Sequence, residues 1–232
     1  MSVEERIRGN LETIRRRIDE AAARAGRDGA TVRIVAVTKR QPLEMLPCLV
    51  KVGLHDLGEN YPQALWARAD ALSGLPIRWH HIGHLQSNKV KRMFPLVRWI
   101  HGVDSLKLLR LLDELAMAAE DPPHVCLQVN CSGEPTKHGW SPASILADAD
   151  AIAQCRHIPV AGLMTMAAPS DNPESARPAF ESLRELGEEL RRRTRLSLPE
   201  LSMGMSDDYE IAVEEGATWV RIGSALFEGV GT

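Results

Sequence analysis

Arg33-Ile-Val-Ala-Val-Thr-Lys39 is the stretch on which the fold turns. Its apolar, β-branched run reads as a short strand buried on both faces. Strands of that kind belong to parallel sheets. This one runs straight into a lysine, and the carboxyl edge of a parallel sheet is where α/β proteins gather their ligands. Lys39 then has two readings. It is an amine partly stripped of water and poised to attack an aldehyde, or a cation that leaves the core for solvent. Spacing alone leaves both open.

Working outward, the chain alternates. Val3, Ile7, Leu11, Ile14, Ile18 and Ala22 step by three and four, which predicts an amphipathic helix over 2–26, ended by Gly26 and Gly29. After Lys39, Pro42 is expected to open a helix that reaches residue 52. Further strands are predicted at 54–60, 77–83, 97–103, 124–130, 159–164, 201–205 and 218–223. Helices are predicted between them at 62–72, 89–94, 105–119, 141–155, 174–193 and 207–215. Strict alternation implies a parallel sheet, and eight units imply closure. The expected fold is a single (β/α)8 TIM-like barrel in one domain, 1–232, with residues 1–28 as an extra helix packed on it.

Composition narrows the function. The 232 residues carry a net charge of −3, so no bulk field favours nucleic acid. The runs Arg15-Arg16-Arg17 and Arg191-Arg192-Arg193 lie among acidic residues and read as solvated helix faces. The N-terminus has no apolar signal core, and no apolar run approaches the ~20 residues of a membrane span. Cys48, Cys126, Cys131 and Cys155 form no CxxC pair, which suits reduced thiols and a cytoplasmic location. In His80-His81-x-x-His84 the adjacent rings point to opposite faces of a strand, so no metal is expected there.

The predicted strand ends deliver Lys39, Glu59, Asn60, His81, His84, Asp104, Asn130, Thr165, Ser202, Ser206, Arg221, Gly223 and Ser224 to one rim. Such a row of polar groups favours a ligand pocket. Ser202-Met-Gly-Met-Ser206 and Arg221-Ile-Gly-Ser224 end adjacent late strands. Their glycines and hydroxyls read either as tight turns or as the phosphate site that barrels build after strands seven and eight. An amine and a phosphate site on one rim is the combination that pyridoxal 5′-phosphate needs.

Seven stretches, in order and nearly end to end, carry a resemblance. They are Ala36-Val-Thr-Lys39, Gly58-Glu-Asn-Tyr61, His81-Ile-Gly-His-Leu-Gln-Ser-Asn-Lys89, Val129-Asn-Cys-Ser132, Gly162-Leu-Met164, Leu201-Ser-Met-Gly-Met-Ser-Asp207 and Val220-Arg-Ile-Gly-Ser224. The chain resembles the pyridoxal phosphate homeostasis proteins, the family similar to the alanine racemase N-terminal domain and also called proline-synthetase co-transcribed. The resemblance implies a fold-type-III barrel without the racemases' second β-domain. It implies pyridoxal 5′-phosphate held as a Schiff base on Lys39. Ser206, Gly223 and Ser224 would hold the phosphate and Arg221 would face the pyridine nitrogen. Asn60, His81 and Met203 would line the ring pocket. The implied role is vitamin B6 cofactor buffering and delivery to pyridoxal phosphate-dependent apo-enzymes, without catalysis of its own, by a monomer. The alternative is an amino-acid racemase or other weak amino-acid-transforming enzyme. His81 stands where the family pattern has an aromatic such as Phe, and Cys131 and Thr136 replace commoner hydroxyl residues in the loop after the fifth strand.

Overall fold

The computed structural model describes residues 2–134 and 137–230; Thr136 lies outside them. Among the described residues eight parallel strands close into a barrel in sequence order. They are β1 (Arg33–Val37), β2 (Asp56–Glu59), β3 (Arg78–His81), β4 (Trp99–Val103), β5 (His124–Gln128), β6 (Val160–Met164), β7 (Glu200–Met205) and β8 (Trp219–Ile222). β1 closes the ring by pairing with both β2 and β8, in the latter case with Val35 beside Arg221. The expected barrel is the observed one.

The helices are α1 (Val3–Arg24), α2 (Leu46–Lys51), α3 (Pro62–Ala71), α4 (Val90–Met93), α5 (Leu106–Ala116), α6 (Pro142–Ala147), α7 (Ala149–Gln154), α8 (Arg177–Thr194) and α9 (Tyr209–Glu214). A capping box starts α1: Ser2 Oγ accepts from the Glu5 amide at 3.2 Å and Glu5 Oε2 accepts from the Ser2 amide at 2.6 Å. Ile7, Ile14, Ile18, Ala21 and Ala22 are buried as their spacing requires, and α1 packs on α2 and α9. Val3 stays exposed. Phe180, Leu183, Leu186 and Leu190 form the buried stripe of α8, each contributing about 1.5–3 kcal/mol.

Two helices differ from expectation. Pro42 caps only a single 3₁₀ turn, Leu43–Met45, and Pro47 takes the place in the first turn of α2 where a missing N–H costs nothing. The predicted helix over 141–155 is two, broken at Asp148, whose carboxylate accepts from Trp140 Nε1 at 2.8 Å.

Two layers of core result. The large outer one lies between strands and helices. The small inner one fills the barrel with Val35, Ile82, Trp99, Cys126, Met164 and Trp219. Strands approach closely where glycine permits it: a Cβ on Gly162 would lie 1.9 Å from the Glu200 carbonyl oxygen. Among the described residues no helix is long and apolar enough to cross a membrane.

Candidate functional site

The carboxyl rim receives Lys39 two residues beyond β1. The turn Thr38–Gln41 that carries it is tied down from behind. Arg68, on α3, donates through Nη1 to the Thr38 carbonyl at 2.8 Å and through Nη2 to the Gln41 carbonyl at 2.6 Å. The same Nη1 meets Glu59 Oε1 at 2.7 Å, and Thr38 Oγ1 donates to that carboxylate too. Glu59 is fully buried, and burial pushes its carboxyl above the usual range; Thr38 and Arg68 oppose this. Sequence reasoning placed Glu59 on the rim and overlooked Arg68. The pleat turns Glu59 outward, under α3. Lys39 itself is exposed, so of the two readings the sequence left open the amine stripped of water is not the one seen here.

Beside it lies the end of β8. A Cβ on Gly223 would lie 3.5 Å from Val37 Cβ, so Gly223 borders the strand that leads to Lys39. Ser206 Oγ accepts from the Gly223 amide at 3.1 Å and from the Ala225 amide at 3.3 Å. Two backbone donors converge on one hydroxyl, an arrangement able to take an anion's oxygens. Ser224 is exposed beside them in the turn, where the Gly223 carbonyl accepts from the Leu226 amide at 3.0 Å. The Ala225 amide went unnoticed in the sequence because an N–H carries no residue signature.

Arg221 points into the barrel and is 4% exposed. Its Nη1 donates to the carbonyl and hydroxyl oxygens of Ser202, both at 2.8 Å, and its Nη2 to the Thr165 carbonyl at 2.9 Å. Burial lowers this guanidinium to about 10, partly offset by Asp208, so it is a cation at neutral pH. Asn60 is half-buried at the mouth. Gly83 lies against it: a Cβ there would sit 2.3 Å from the Asn60 carbonyl oxygen.

Two expected pocket residues are elsewhere. On β3, His80 faces inward against Trp99 and Trp219, so alternation turns His81 toward the helices. His81 is fully buried, with neither ring nitrogen hydrogen-bonded among the described residues. Burial lowers it to about 4. Its assignment to the ring pocket is therefore corrected, as is that of Met203, which is buried in the outer core. β7 carries a register shift between Ser202 and Met205, so Met205 is the methionine that reaches the rim, 37% exposed.

His84, Asp104 and His138 gather on the same rim, with ligand-type atoms within 4.8 Å of one another. His84 Nδ1 meets Asp104 Oδ2 at 2.7 Å, and the two rings stack at 4.3 Å with 17° between planes. Near-parallel rings set their in-plane lone pairs side by side instead of converging them on one ion, so the cluster is a polar clasp between loops.

The family model described as alanine racemase, N-terminal domain, matches residues 9–230. A pyridoxal phosphate homeostasis protein from Pseudomonas aeruginosa is 44% identical over 221 residues, 95% of this chain and 94% of that one. The chain belongs to the pyridoxal phosphate homeostasis protein family. Among solved structures, PipY of Synechococcus elongatus with PLP bound is 34% identical at a TM-score of 0.85, covering 95% of this chain and 99% of that one. Alanine racemase from Corynebacterium glutamicum shares the fold at 17% identity and a TM-score of 0.74, across 99% of this chain and 63% of that one.

In this family's terms the rim brings together an exposed amine, a pair of amides on a hydroxyl, and a fixed cation. Lys39, Asn60, Ser206, Arg221, Gly223 and Ser224 all lie at that end of the barrel. The signal for Met205 over Met203 was Gly204, whose φ of +90° marks where the alternation slips.

Proposed function

We propose that this chain binds pyridoxal 5′-phosphate on the carboxyl rim and serves its intracellular homeostasis by buffering and handing on the cofactor. The observation that carries this reading is the convergence of the Gly223 and Ala225 amides on Ser206, beside the strand that leads to Lys39. The residues fit the group. Lys39 would hold it covalently through Nζ, while Ser206, Gly223 and Ser224 would take the phosphate. Arg221 would face the ring nitrogen, and Asn60 and Met205 would border the ring. When bound, the cofactor supplies an aldehyde that condenses with amines and a ring that can accept electrons.

Arg221 supports holding over turnover. Its guanidinium keeps its protons at neutral pH and is itself held on three oxygens. A cation at that place opposes protonation of a pyridine nitrogen, and an unprotonated ring is the weaker electron sink. The chain would then work as a carrier, in the cytoplasm, with pyridoxal phosphate-dependent apo-enzymes as recipients. Its four cysteines are free thiols, which suits that compartment. Adding pyridoxal phosphate to the stripped protein should produce a yellow species that survives dialysis, and Lys39→Ala should not retain it. A wild-type protein that remains colourless contradicts the proposal.

A second reading, weak amino-acid turnover, is favoured by the His84–Asp104 pair on the rim, a base with its orienting carboxylate. L-alanine in deuterated water separates the two. The carrier shows negligible Cα–H exchange; exchange that is fast and lost in His84→Gln supports the enzyme.

A further inference from the structure

A line of hydrogen bonds runs through the barrel from the candidate site to its opposite mouth. Arg221 Nη1 meets Ser202 Oγ at 2.8 Å, and Ser202 Oγ meets His101 Nδ1 at 2.7 Å. His101 Nε2 meets His80 Nδ1 at 2.9 Å, and His80 Nε2 meets Asp56 Oδ1 at 2.9 Å. Arg78 closes the far end, clamping Asp56 through Nε at 2.7 Å and Nη2 at 2.6 Å. The residues sit on β8, β7, β4, β3 and β2, so the line crosses the barrel through its interior. Both imidazoles and Ser202 are fully buried.

We propose that His101 and His80 are positioning residues, forming a one-directional relay that fixes the orientation of Arg221 from the carboxylate at the far mouth. Only one arrangement of protons satisfies every bond with neutral imidazoles. An ionised Asp56 can only accept, so His80 carries its proton on Nε2. His80 Nδ1 is then bare and accepts from His101 Nε2–H. His101 Nδ1 is bare in turn and accepts from the Ser202 hydroxyl, whose oxygen accepts from Arg221. Each donor points toward Asp56. Reversing the line requires one more proton, which makes His80 an imidazolium, and the surroundings oppose that. Arg33, stacked over Trp219 at 4.0 Å, Arg78 and Arg221 all bear on this interior; Asp56 answers Arg78, Glu200 pairs with Arg33, and Asp208 bears on Arg221. Burial lowers both histidines; burial also works to raise Asp56, but the hydrogen bonds and charges of Arg78 and His80 together hold it at about 2.

The relay spends both Nη1 hydrogens on Ser202 and one Nη2 hydrogen on Thr165. Nε–H and the other Nη2–H of Arg221 have no acceptor among the described residues. They form the edge left for a ligand, and the relay decides where that edge faces. Its significance for the ring nitrogen rests on the cofactor reading above; its existence does not.

Nitrogen-15 spectra of histidine-labelled, ligand-free protein test it directly. We expect His80 and His101 each to be the neutral Nε2–H tautomer, unchanged from about pH 8 to about pH 6. An Nδ1–H signal from His101, or a charged His80 at neutral pH, overturns the proposal even if pyridoxal phosphate binds. A second arm uses the loaded protein. His101→Leu should release pyridoxal phosphate about tenfold faster and shift its visible band, and His101→Gln, which keeps a donor and an acceptor, should restore both. If His101→Leu leaves the release rate and band at wild-type values, the positioning role falls. Should His101→Leu fail to fold, the tautomers of the unaltered chain still decide.

Discussion

Arg68 shows how a residue outside the pocket sets the geometry within it. It bridges the Thr38 and Gln41 carbonyls across the Lys39 turn and neutralises a fully buried carboxylate. Arg68→Met should cost about 3 kcal/mol, because it leaves Glu59 buried without its cation. Burial already raises Glu59, and a carboxyl raised in the folded state loses its contribution as pH rises. The deficit of Arg68→Met, read from urea midpoints, should therefore grow as pH rises above the usual carboxylate range. His81 makes the opposite case. Folded, it titrates at about 4, while an unfolded histidine binds its proton near about 6.5. The unfolded chain then holds more protons between these values, so stability falls as pH drops through that window. The His81 share reaches about 3 kcal/mol. His81→Phe should flatten that part of the pH profile, and an unchanged slope would refute the assignment. At this scale the rim positions of Lys39, Ser206, Arg221, Gly223 and Ser224 were legible because they lie at strand ends. His101 was not, because a histidine inside a barrel looks like any core position until its partners are placed beside it.

Among the elements, β7 sets the limit of sequence reading. A period of two, counted from Ser202, carries as far as the slip between Ser202 and Met205 and fails there. Gly204 sits in the slip with φ +90°, and a Cβ on it would lie 2.6 Å from Ala212 Cβ and 2.9 Å from Tyr209 Cα. Gly204→Ala should destabilise the fold by roughly 2 kcal/mol or more. It should also weaken pyridoxal phosphate retention by displacing Ser206, and equilibrium dialysis at matched stability separates the two effects. Other elements were read nearly to the residue because their signals are local. The α1 stripe and the helix starts predicted at 105 and 141, where Ser105 and Ser141 are the N-caps, needed no partner to be recognised. The break at Asp148 needed Trp140, which lies outside the helical pattern.

At the scale of the molecule, alternation implied a parallel sheet and the count of eight units implied closure, and the pairing between β1 and β8 is what closes the barrel. α1 packs on α2 and α9, so we expect the leading helix and the barrel to unfold together as one domain. Circular dichroism and tryptophan fluorescence should report one coincident transition; an early loss of helix alone would separate them. The large apolar side chains exposed among the described residues, Val3, Tyr61, Leu96, Met117 and Met205, come from five different segments. We expect a monomer, and sedimentation should give a species near 25.6 kDa with or without cofactor. Above all these stands the proposed bond between Lys39 and pyridoxal phosphate. Borohydride reduction of protein loaded with pyridoxal phosphate, followed by mass spectrometry of its peptides, tests it most directly. The account predicts one modified residue, Lys39; a modification found only on other lysines, or none, would contradict it.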